Sequence, residues 1–448
     1  MGVSDGGAGV RMTSALHGIP GDRSLDGYAL RRRPRAYRRA TPLVNPTRER
    51  HFLFLRGPFG SFFAHVADQL TLSGGRISKV VFDGGDLSDW GYFRPHVAYR
   101  DREEVWPIWI DRFLGDNRIT DLVVFNDCLE VHMAAIAAAK RRGLRVHVFE
   151  EGYFRPRWIT LESDGVNAYS PCPRDPSFYR DHGQPTFKVS IGDSDVGRST
   201  KWLIYRGIAH YVNKVFLAPA FPKRRNPFAL PVFDQIVGSI ARYAKNQFTR
   251  KSVTECASRL VTSAEPYFIA LLQRAGDSQL WQHSNYTNES FAAEVISSFS
   301  RHAPSKARLV FKLHPLDPGL VDYERVVKEL AIEHAVTDRV LFLDGGNLNV
   351  LAHGARGAVT INSTAGLATI GFGCPTKVLG RAVYDIEGLT DRKPLNQFWN
   401  DSQPPDADLF LRFRHVMMER TQINGAFYTP VGLRMAAAAA AGRLGASA

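Results

Sequence analysis

The feature that most constrains this chain is an alternation of short apolar runs with helical stretches, which occurs in two separate blocks. β-Branched and aromatic residues dominate the runs and favour strands, whereas the stretches between them have the periodicity of helices. Such alternation predicts mostly parallel sheets with helices on both faces, an α/β fold. The predicted strands lie at 51–55, 78–82, 120–125 and 145–149 in the first block, and at 267–272, 308–313, 339–343, 358–362 and 376–379 in the second.

The segments around the two blocks complete the predicted organisation. A proline-containing loop begins near 171, helices follow at about 198–217 and 230–260, and an alanine-rich final helix is expected to end at Gly442. We therefore expect two Rossmann-like domains that face a cleft, joined by helices. The predicted parts are a disordered basic arm at 1–50, a first domain at 51–180, a helical insertion or linker at 181–265, a second domain at 266–395 and C-terminal helices at 396–448.

Positive charge is concentrated in the arm. The chain has 57 Lys and Arg against 44 Asp and Glu, a net charge of +13, and residues 1–50 alone hold ten Arg against four acids. Such an arm suits nucleic acid, anionic lipid headgroups or an acidic polymer, and a solubilising tail without a specific role explains it equally well. A second basic run, Lys223-Arg224-Arg225, follows Phe216 and Phe221 and is typical of membrane-surface contact. Zinc-finger spacings and RNA-recognition signatures are missing, so we expect no nucleic-acid partner.

Other classes of protein are excluded by what the sequence lacks. It has no apolar run of about 18 residues, which a membrane-spanning helix needs, and no secretory signal, so we expect a cytoplasmic chain. The four cysteines are far apart and predict buried free thiols. We expect no metal and no cofactor, and the segment 83–86, Asp-Gly-Gly-Asp, is interpreted as a loop.

Five polar or glycine-rich clusters follow predicted strands directly, where such sheets bind ligands. In the first, glycines before a helix allow close approach of an anion, although a structural turn explains them as well. In the second, Glu150 and Glu151 would raise each other's pKa if buried, which suits a general acid or base, whereas in an exposed loop they would be ordinary acids. The residues of the first cluster expected at the cleft are Arg56, Gly57, Pro58 and Gly60.

The remaining three clusters belong to the second block. Asp277 is either a nucleophile or a turn residue, and Gly276-Asp277-Ser278 is favourable turn chemistry. Lys312 and His314, at the end of a strand, suit a phosphate. The hydroxyls that follow the strand at 358–362 either cap a helix or bind a phosphate. Further members of these clusters are Gln273, Gln279, Pro315, Asn362, Ser363, Thr364 and Gly366.

These segments together resemble the capsule polysaccharide biosynthesis/export family of the KpsS/LipB type. The resemblance extends over residues 51–395, and it rests on the number and order of the motifs. They are FLRGPFGSFF (54–63), VVFDGGDLSDW (80–90), VFEEGYFRPRWITLE (148–162), DSQ (277–279), FKLHPLDPG (311–319) and the segment that begins INSTAGLATIGFG (361–391). Arg56 departs from the pattern, because a neutral polar residue is expected there.

The resemblance implies a GT-B glycosyltransferase that uses CMP-Kdo as its donor substrate. Members of the family transfer the ulosonic acid Kdo to a lysophosphatidylglycerol-type lipid and so begin the poly-Kdo linker of a capsule. The linkage is β in donor and product, which implies retention of configuration. The implied partners are CMP-Kdo, the lipid acceptor, other capsule biosynthesis or export proteins, and the inner membrane, at which the protein would be peripheral.

Roles for single residues also follow from the resemblance, which extends to the motifs of GT-B sialyltransferases. Glu151 would be the acid or base with Glu150 as its orienting neighbour, and Asp277 would be the nucleophile that retention by two displacements requires. His314 would stabilise the leaving CMP phosphate. The implied CMP-binding set is Lys312, His314, Pro315, Asn362, Ser363, Thr364 and Gly366, and Arg56, Gly57, Pro58, Gly60, Gln273 and Gln279 are assigned to the acceptor side of the cleft.

Two alternatives stay open at this point. One is a GT-B transferase of another CMP- or CDP-linked donor, such as a polyol-phosphate transferase. The other is a non-catalytic capsule export partner that keeps the fold.

Overall fold

The computed structural model describes residues 50–155, 157–185, 200–222, 232–263 and 265–446. The predicted arm, apart from Arg50, and the basic run Lys223-Arg224-Arg225 lie outside the described residues. The strands are β1 (His51–Phe54), β2 (Arg76–Val81), β3 (Val97–Ala98), β4 (Asp121–Phe125), β5 (Arg145–Glu151), β6 (Trp158–Ser163), β7 (Tyr267–Leu271), β8 (Arg308–Lys312), β9 (Val340–Leu343), β10 (Gly357–Thr360), β11 (Thr376–Val378) and β12 (Gln422–Asn424).

Helices cover the faces of both sheets and form the long insertion between them. The helices are α1 (Phe62–Leu72), α2 (Gly84–Trp90), α3 (Trp106–Asp116), α4 (Glu130–Arg141), α5 (Pro176–His182), α6 (Thr200–Phe216), α7 (Val232–Thr262), α8 (Ser278–His283), α9 (Asn288–His302), α10 (Tyr323–Glu333), α11 (Leu348–Gly354), α12 (Thr364–Gly371), α13 (Leu395–Phe398), α14 (Ala407–Thr421) and α15 (Pro430–Ala446).

The two sheets confirm the prediction of two Rossmann-like domains in a GT-B arrangement. The first sheet has the order β12-β6-β5-β4-β1-β2-β3, and the second has the order β11-β10-β7-β8-β9. All pairs of the second sheet are parallel, as are those from β3 to β5 in the first. In both sheets successive strands are added first on one side of the first strand and then on its other side. The order switches between β1 and β4 in the first sheet and between β7 and β10 in the second. This switch point is where doubly wound sheets bind their ligands.

Burial explains why these strands form where they do. Every residue of β1, β7 and β10 is buried, as expected for central strands that are covered on both faces. Phenylalanines and alanines of α1 and α15 pack on one face of the first sheet, and α3 and α4 pack on the other. The second sheet is covered in the same way by α9 and α10 on one face and by α7 and α11 on the other.

Two antiparallel strands were missing from the sequence prediction. β6 pairs with β5, and β12, which is only three residues long, pairs with β6. The end of the chain therefore returns to the first sheet, where α15 packs on α1. Strands as short as β12 carry too little pattern to be recognised, because their pairing is set by tertiary contacts.

Three local predictions were wrong. The segment 83–86 starts a helix, because the Asp83 carboxylate accepts the backbone N–H of Asp86 at 2.9 Å. The proline-containing loop includes helix α5, with Pro176 at its first turn. The last helix continues beyond Gly442 to Ala446, since a glycine inside a helix costs only about 1 kcal/mol.

Candidate active site

A cleft of about 820 Å³ lies along the carboxyl edge of the second sheet. One wall comes from the second domain, with the ends of β7 and β8 and the start of α12, and the other comes from the segment after β5 together with α14. Four cationic side chains line the cleft, and among the described lining residues there is no carboxylate. The four cationic residues are Arg155, Arg157, Lys312 and Arg414. A cavity with this charge selects an anion.

His314 enters this cleft as a neutral hydrogen-bond donor. It lies two residues beyond β8, and its Nδ1 accepts the backbone N–H of Leu316 at 3.1 Å. The ring proton therefore lies on Nε2. Burial lowers the pKa of His314 to about 4, and the positive charge of Arg155 adds to this effect. At neutral pH the side chain offers one N–H to a ligand and carries no charge.

Lys312 supplies a desolvated positive charge beside His314. It ends β8, is only 6% exposed, and lines the cleft. The nearby carboxylate of Asp344 is engaged by Arg242, with an Nε–Oδ1 distance of 3.0 Å. Burial lowers the pKa of Lys312 to about 8, and the charge of Arg242 contributes to this shift. An ammonium in this setting gains more from a phosphate than one in water would.

The start of α12 faces the same space. Ser363 and Thr364 line the cleft, and the Ser363 hydroxyl accepts the backbone N–H of Ala365 at 3.2 Å, so it caps the helix. Helix capping and phosphate binding by this motif are compatible, because Ser363 caps the helix while Thr364 and the positive end of the helix still face the cleft. Pro315 also lines it.

Asn362 and Gly366 make contacts near the start of α12 on the side away from the cleft. Asn362 is buried, and its Nδ2 donates to the carbonyl of Gln279 at 3.1 Å. A Cβ at Gly366 would lie 2.5 Å from the Tyr384 hydroxyl oxygen. Neither residue lines the cleft; in the structure Asn362 has a hydrogen bond and Gly366 a close packing contact, and their contact with a ligand stays a prediction.

Glu150 and Glu151 end β5, inside the strand and not after it. Successive residues of a strand point to opposite faces, so the two carboxyl groups have different partners. Glu150 accepts from Gln279 Nε2 at 3.5 Å, and Glu151 accepts from the Tyr428 hydroxyl at 3.0 Å. Burial, with the charge of Glu151 nearby, raises the pKa of Glu150 to about 8. Glu150 is thus largely protonated at neutral pH.

Asp277 is linked to Glu150 through Gln279, across the domain boundary. It caps helix α8 and accepts the backbone N–H of Gln279 at 2.9 Å. Burial raises its pKa, and hydrogen bonds from Gln279 and from the Gln273 side chain act against that rise. Gln279 therefore contacts Asp277 with its backbone and Glu150 with its side chain, and it connects the two carboxyl groups.

The first cluster of the sequence analysis does not reach the described cleft. Arg56 is buried and pairs with Asp83 at 2.9 Å. A Cβ at Gly57 would lie 2.8 Å from the Phe63 ring, and one at Gly60, where φ is +88°, would lie 2.5 Å from the Arg206 guanidinium. Pro58 is buried between them. This loop thus packs against α1 and α6, and the positive φ at Gly60 favours glycine there.

Comparison of the sequence with known proteins assigns the chain to a family. A family model described as "Capsule polysaccharide biosynthesis protein" matches residues 120–428. The chain belongs to this family. It is 35% identical to the "Capsule polysaccharide export protein KpsS" of Escherichia coli, over 84% of this chain and 96% of that protein. It is 34% identical to the "Capsule polysaccharide modification protein LipB" of Neisseria meningitidis serogroup A, over 85% of this chain and 92% of the relative.

A solved structure shows a more distant likeness. The chain is similar to "Thermosulfurimonas dismutans KpsC, beta Kdo 2,7 transferase" with a TM-score of 0.38 and 12% identity, over 81% of this chain and 89% of that one. The chain is thus a member of the capsule polysaccharide biosynthesis family with two Rossmann-like sheets.

The structure of this capsule protein also reveals site residues that sequence reasoning missed. Arg155 and Arg157 lie in the segment that follows Glu151, and Arg414 comes from α14, more than 250 residues later. Tyr428, which contacts Glu151, follows β12. Arg155 and Arg157 directly follow the candidate motif at Glu150 and Glu151, so they were recognisable from the sequence. Arg414 and Tyr428 were not recognisable, because they reach the site only through the C-terminal segment that returns to the first sheet.

A buried cluster of Asp127, Cys128 and His283 joins the two domains. Its potential ligand atoms lie within 4.8 Å of one another, which is close enough for a metal ion. However, the backbone N–H of Ala168 donates to Nδ1 of His283 at 3.1 Å, so the ring proton lies on Nε2. Nε2 then donates to Asp127 at 3.2 Å. The donor set fits a hydrogen-bonded cluster, because a protonated Nε2 cannot be a metal ligand.

Proposed function

We propose that this protein is a retaining glycosyltransferase that transfers Kdo from CMP-Kdo to a lysophosphatidylglycerol-type lipid. The observation that carries the proposal is the composition of the cleft, where Lys312, His314 and the start of α12 surround a space without a described carboxylate. Departure of CMP leaves negative charge on a phosphate, and prearranged donors and charges stabilise that charge in the transition state. The names of the KpsS and LipB relatives agree with a role in capsule export or modification.

The phosphate of CMP would lie between Lys312 and the helix start at Thr364. His314 would donate its Nε2–H to the phosphate oxygen that becomes the leaving group. The arginines Arg155 and Arg414, which line the same cleft, suit the carboxylate of an ulosonic acid, because guanidinium groups bind carboxylates in a bidentate manner. A donor without that carboxylate would leave these charges unpaired.

Asp277 and Glu150 do not line this cleft. In the proposed mechanism the sugar of the bound donor extends from the cleft to these carboxyl groups at the domain boundary, where they would perform the transfer. In the first step the Asp277 carboxylate attacks the anomeric carbon while the bond to the CMP oxygen breaks. In the second step the acceptor hydroxyl gives its proton to a carboxylate, and its oxygen displaces Asp277, so the configuration is retained. We assign the proton transfer to Glu150, where the resemblance implied Glu151, because a pKa of about 8 is matched to this task at neutral pH.

The deciding experiment measures CMP release from freshly made CMP-Kdo with and without lysophosphatidylglycerol. We expect acceptor-dependent release by the wild type and a loss of about 10²-fold or more in H314A. H353A is the matched control, because His353 is exposed at the end of α11. Asp277→Asn tests the nucleophile, and turnover at the wild-type rate would remove that assignment.

The outcome also separates the alternatives. Release from another CMP- or CDP-linked donor, with none from CMP-Kdo, would overturn the Kdo proposal while keeping the transferase. No release from any donor by folded protein, together with co-purification of export proteins, would favour the non-catalytic role that the name of the KpsS relative suggests.

A further inference from the structure

Helix α6 exposes its apolar side, whereas an ordinary surface helix buries that side against the core. Its exposed side carries Ile204, Ile208, Val212 and Val215, which recur at helical spacing and are between 52% and 76% exposed. Tyr205 and Phe216, also exposed, widen the same side. Surface helices normally turn such a stripe toward the core.

The opposite side of α6 is polar and faces the protein. His210 is buried and pairs with Asp89 through a 2.6 Å contact. Helix α2 approaches so closely that a Cβ at Gly84 would lie 2.3 Å from the carbonyl oxygen of Asn213, and one at Gly85 would lie 2.6 Å from the His210 ring. This glycine contact sets the rotation of α6 about its axis. The helix therefore cannot turn its apolar side inward without losing both contacts.

The charge of α6 indicates what covers the apolar side. Residues 200–216 contain Lys201, Arg206 and Lys214 and neither Asp nor Glu. Lys201 is exposed, whereas Lys214 pairs with Asp83 at 3.8 Å and Arg206 contacts Tyr428. Trp202 and Tyr205 lie near one end, and such residues favour the boundary between lipid and water. A helix with an apolar stripe, cationic flanks and aromatic residues binds in the plane of a membrane. In the described residues no helix has the length and apolarity to cross one.

The helix is also connected to the candidate active site. Arg206 Nε donates to the carbonyl oxygen of Tyr428 at 3.0 Å, and the hydroxyl of the same Tyr428 donates to Glu151 at 3.0 Å. One residue thus joins α6 to the end of β5. Glu150, to which the proton transfer is assigned, lies at the end of the same strand.

We propose that the exposed side of α6 docks on an anionic lipid surface and brings the lipid acceptor to the end of β5. The choice of a lipid acceptor rests on the proposed function, whereas the docking surface does not. The two can fail separately, because vesicle binding needs no donor and CMP release needs no vesicle.

The test is co-sedimentation of the full-length protein with phosphatidylcholine vesicles that contain about 30% phosphatidylglycerol. The α6 variant carries I208S and V215S, and the matched control carries L72S and I332S, whose side chains are exposed to 81% and 66% on α1 and α10. We expect binding to weaken at least about tenfold in the α6 variant and to remain at the wild-type level in the control. All four side chains are exposed, so we expect the melting temperatures to stay together.

Three results would overturn the proposal. The first is wild-type binding by the α6 variant, which would assign attachment to another segment, such as the arginine-rich residues 1–49. The second is the absence of wild-type binding to these vesicles. The third is a wild-type dimer that the α6 variant converts to monomer without any vesicle binding, which would make the stripe an interface between two copies.

Discussion

The Nε2–H of His283, at the end of α8 in the second domain, donates to Oδ1 of Asp127 in the first domain at 3.2 Å. Both side chains are buried, and Asp127 also accepts the backbone N–H of Val166 at 2.9 Å. Burial raises the pKa of Asp127, but the interactions with His283 and the hydrogen bonds from the Val166 backbone and Cys128 together outweigh it, and the pKa lies below its ordinary value. The two domains are therefore joined by a polar contact within the interface.

We predict that H283A lowers the free energy of unfolding by about 2–4 kcal/mol, because it leaves a buried carboxylate without its main partner. Denaturation with urea at pH 7 measures this, and H353A should change the value by less than about 0.5 kcal/mol. The folded pKa of Asp127 is lowered, so its contribution is present above the ordinary pKa and is lost as the pH falls through the folded value. A loss below about 0.5 kcal/mol in H283A would contradict the role of this contact.

We predict that activity rises with pH through about 8 and that E150Q removes this dependence, since Glu150 must lose its proton to act as a base. The measurement is kcat between pH 6 and pH 9 at saturating CMP-Kdo and lipid acceptor, so that the weaker donor binding expected above the pKa of Lys312 does not enter. E151Q is the comparison, and a surviving rise in E150Q that disappears in E151Q would return the role to Glu151.

The same carboxyl group has a second, independent effect on stability. Its folded pKa of about 8 lies above the unfolded value of about 4.3, so the folded state binds the proton more tightly. The contribution of Glu150 is fully present below pH 4 and is lost as the pH rises toward 8. We predict that E150Q flattens this decline in thermal unfolding, and an unchanged slope would show that Glu150 ionises normally.

We predict that K312Q weakens the binding of CMP about 10- to 100-fold, as expected when a charged hydrogen bond to phosphate is lost. The pKa of Lys312 is about 8, so the wild-type affinity for CMP should fall as the pH rises above that value, because the ammonium loses its charge. Isothermal titration calorimetry at pH 7 and pH 9 measures both effects. K306Q, at an exposed lysine, is the control, and equal losses in the two variants would place the phosphate elsewhere.

Two glycines of similar sequence context should respond in opposite ways to alanine. A methyl group at Gly366 would meet the Tyr384 hydroxyl at 2.5 Å and Thr360 at 2.8 Å, whereas none of the described atoms lies within 4 Å of one at Gly442. We predict that G366A costs about 1–3 kcal/mol through overpacking and that G442A stabilises the protein by up to about 1 kcal/mol. Thermal unfolding of both variants is the measurement, and a stabilising G366A would show that Tyr384 moves freely.

The sequence alone determined the two α/β blocks, the parallel strands and the motif at Lys312 and His314. Those features are local, because burial on both faces produces continuous apolar runs and ligand residues follow strand ends directly. The resemblance to a capsule family, carried by motifs over 51–395, was confirmed by the family match. The helix that starts at Ser363 was recognisable for the same reason, since a capping hydroxyl precedes an apolar stretch.

Only the tertiary structure decided how distant segments meet. The return of the chain end to the first sheet brings Tyr428 to Glu151, and the pairing of β12 that allows it involves three residues. The separation of Glu150 from Glu151 depends on the strand continuing through both, which turns the two side chains to opposite faces. Arg56 changed from an expected cleft residue to a buried partner of Asp83, because a charge that is removed from water takes the nearest opposite charge. Such contacts depend on the packing of elements far apart in the chain, and no local pattern encodes them.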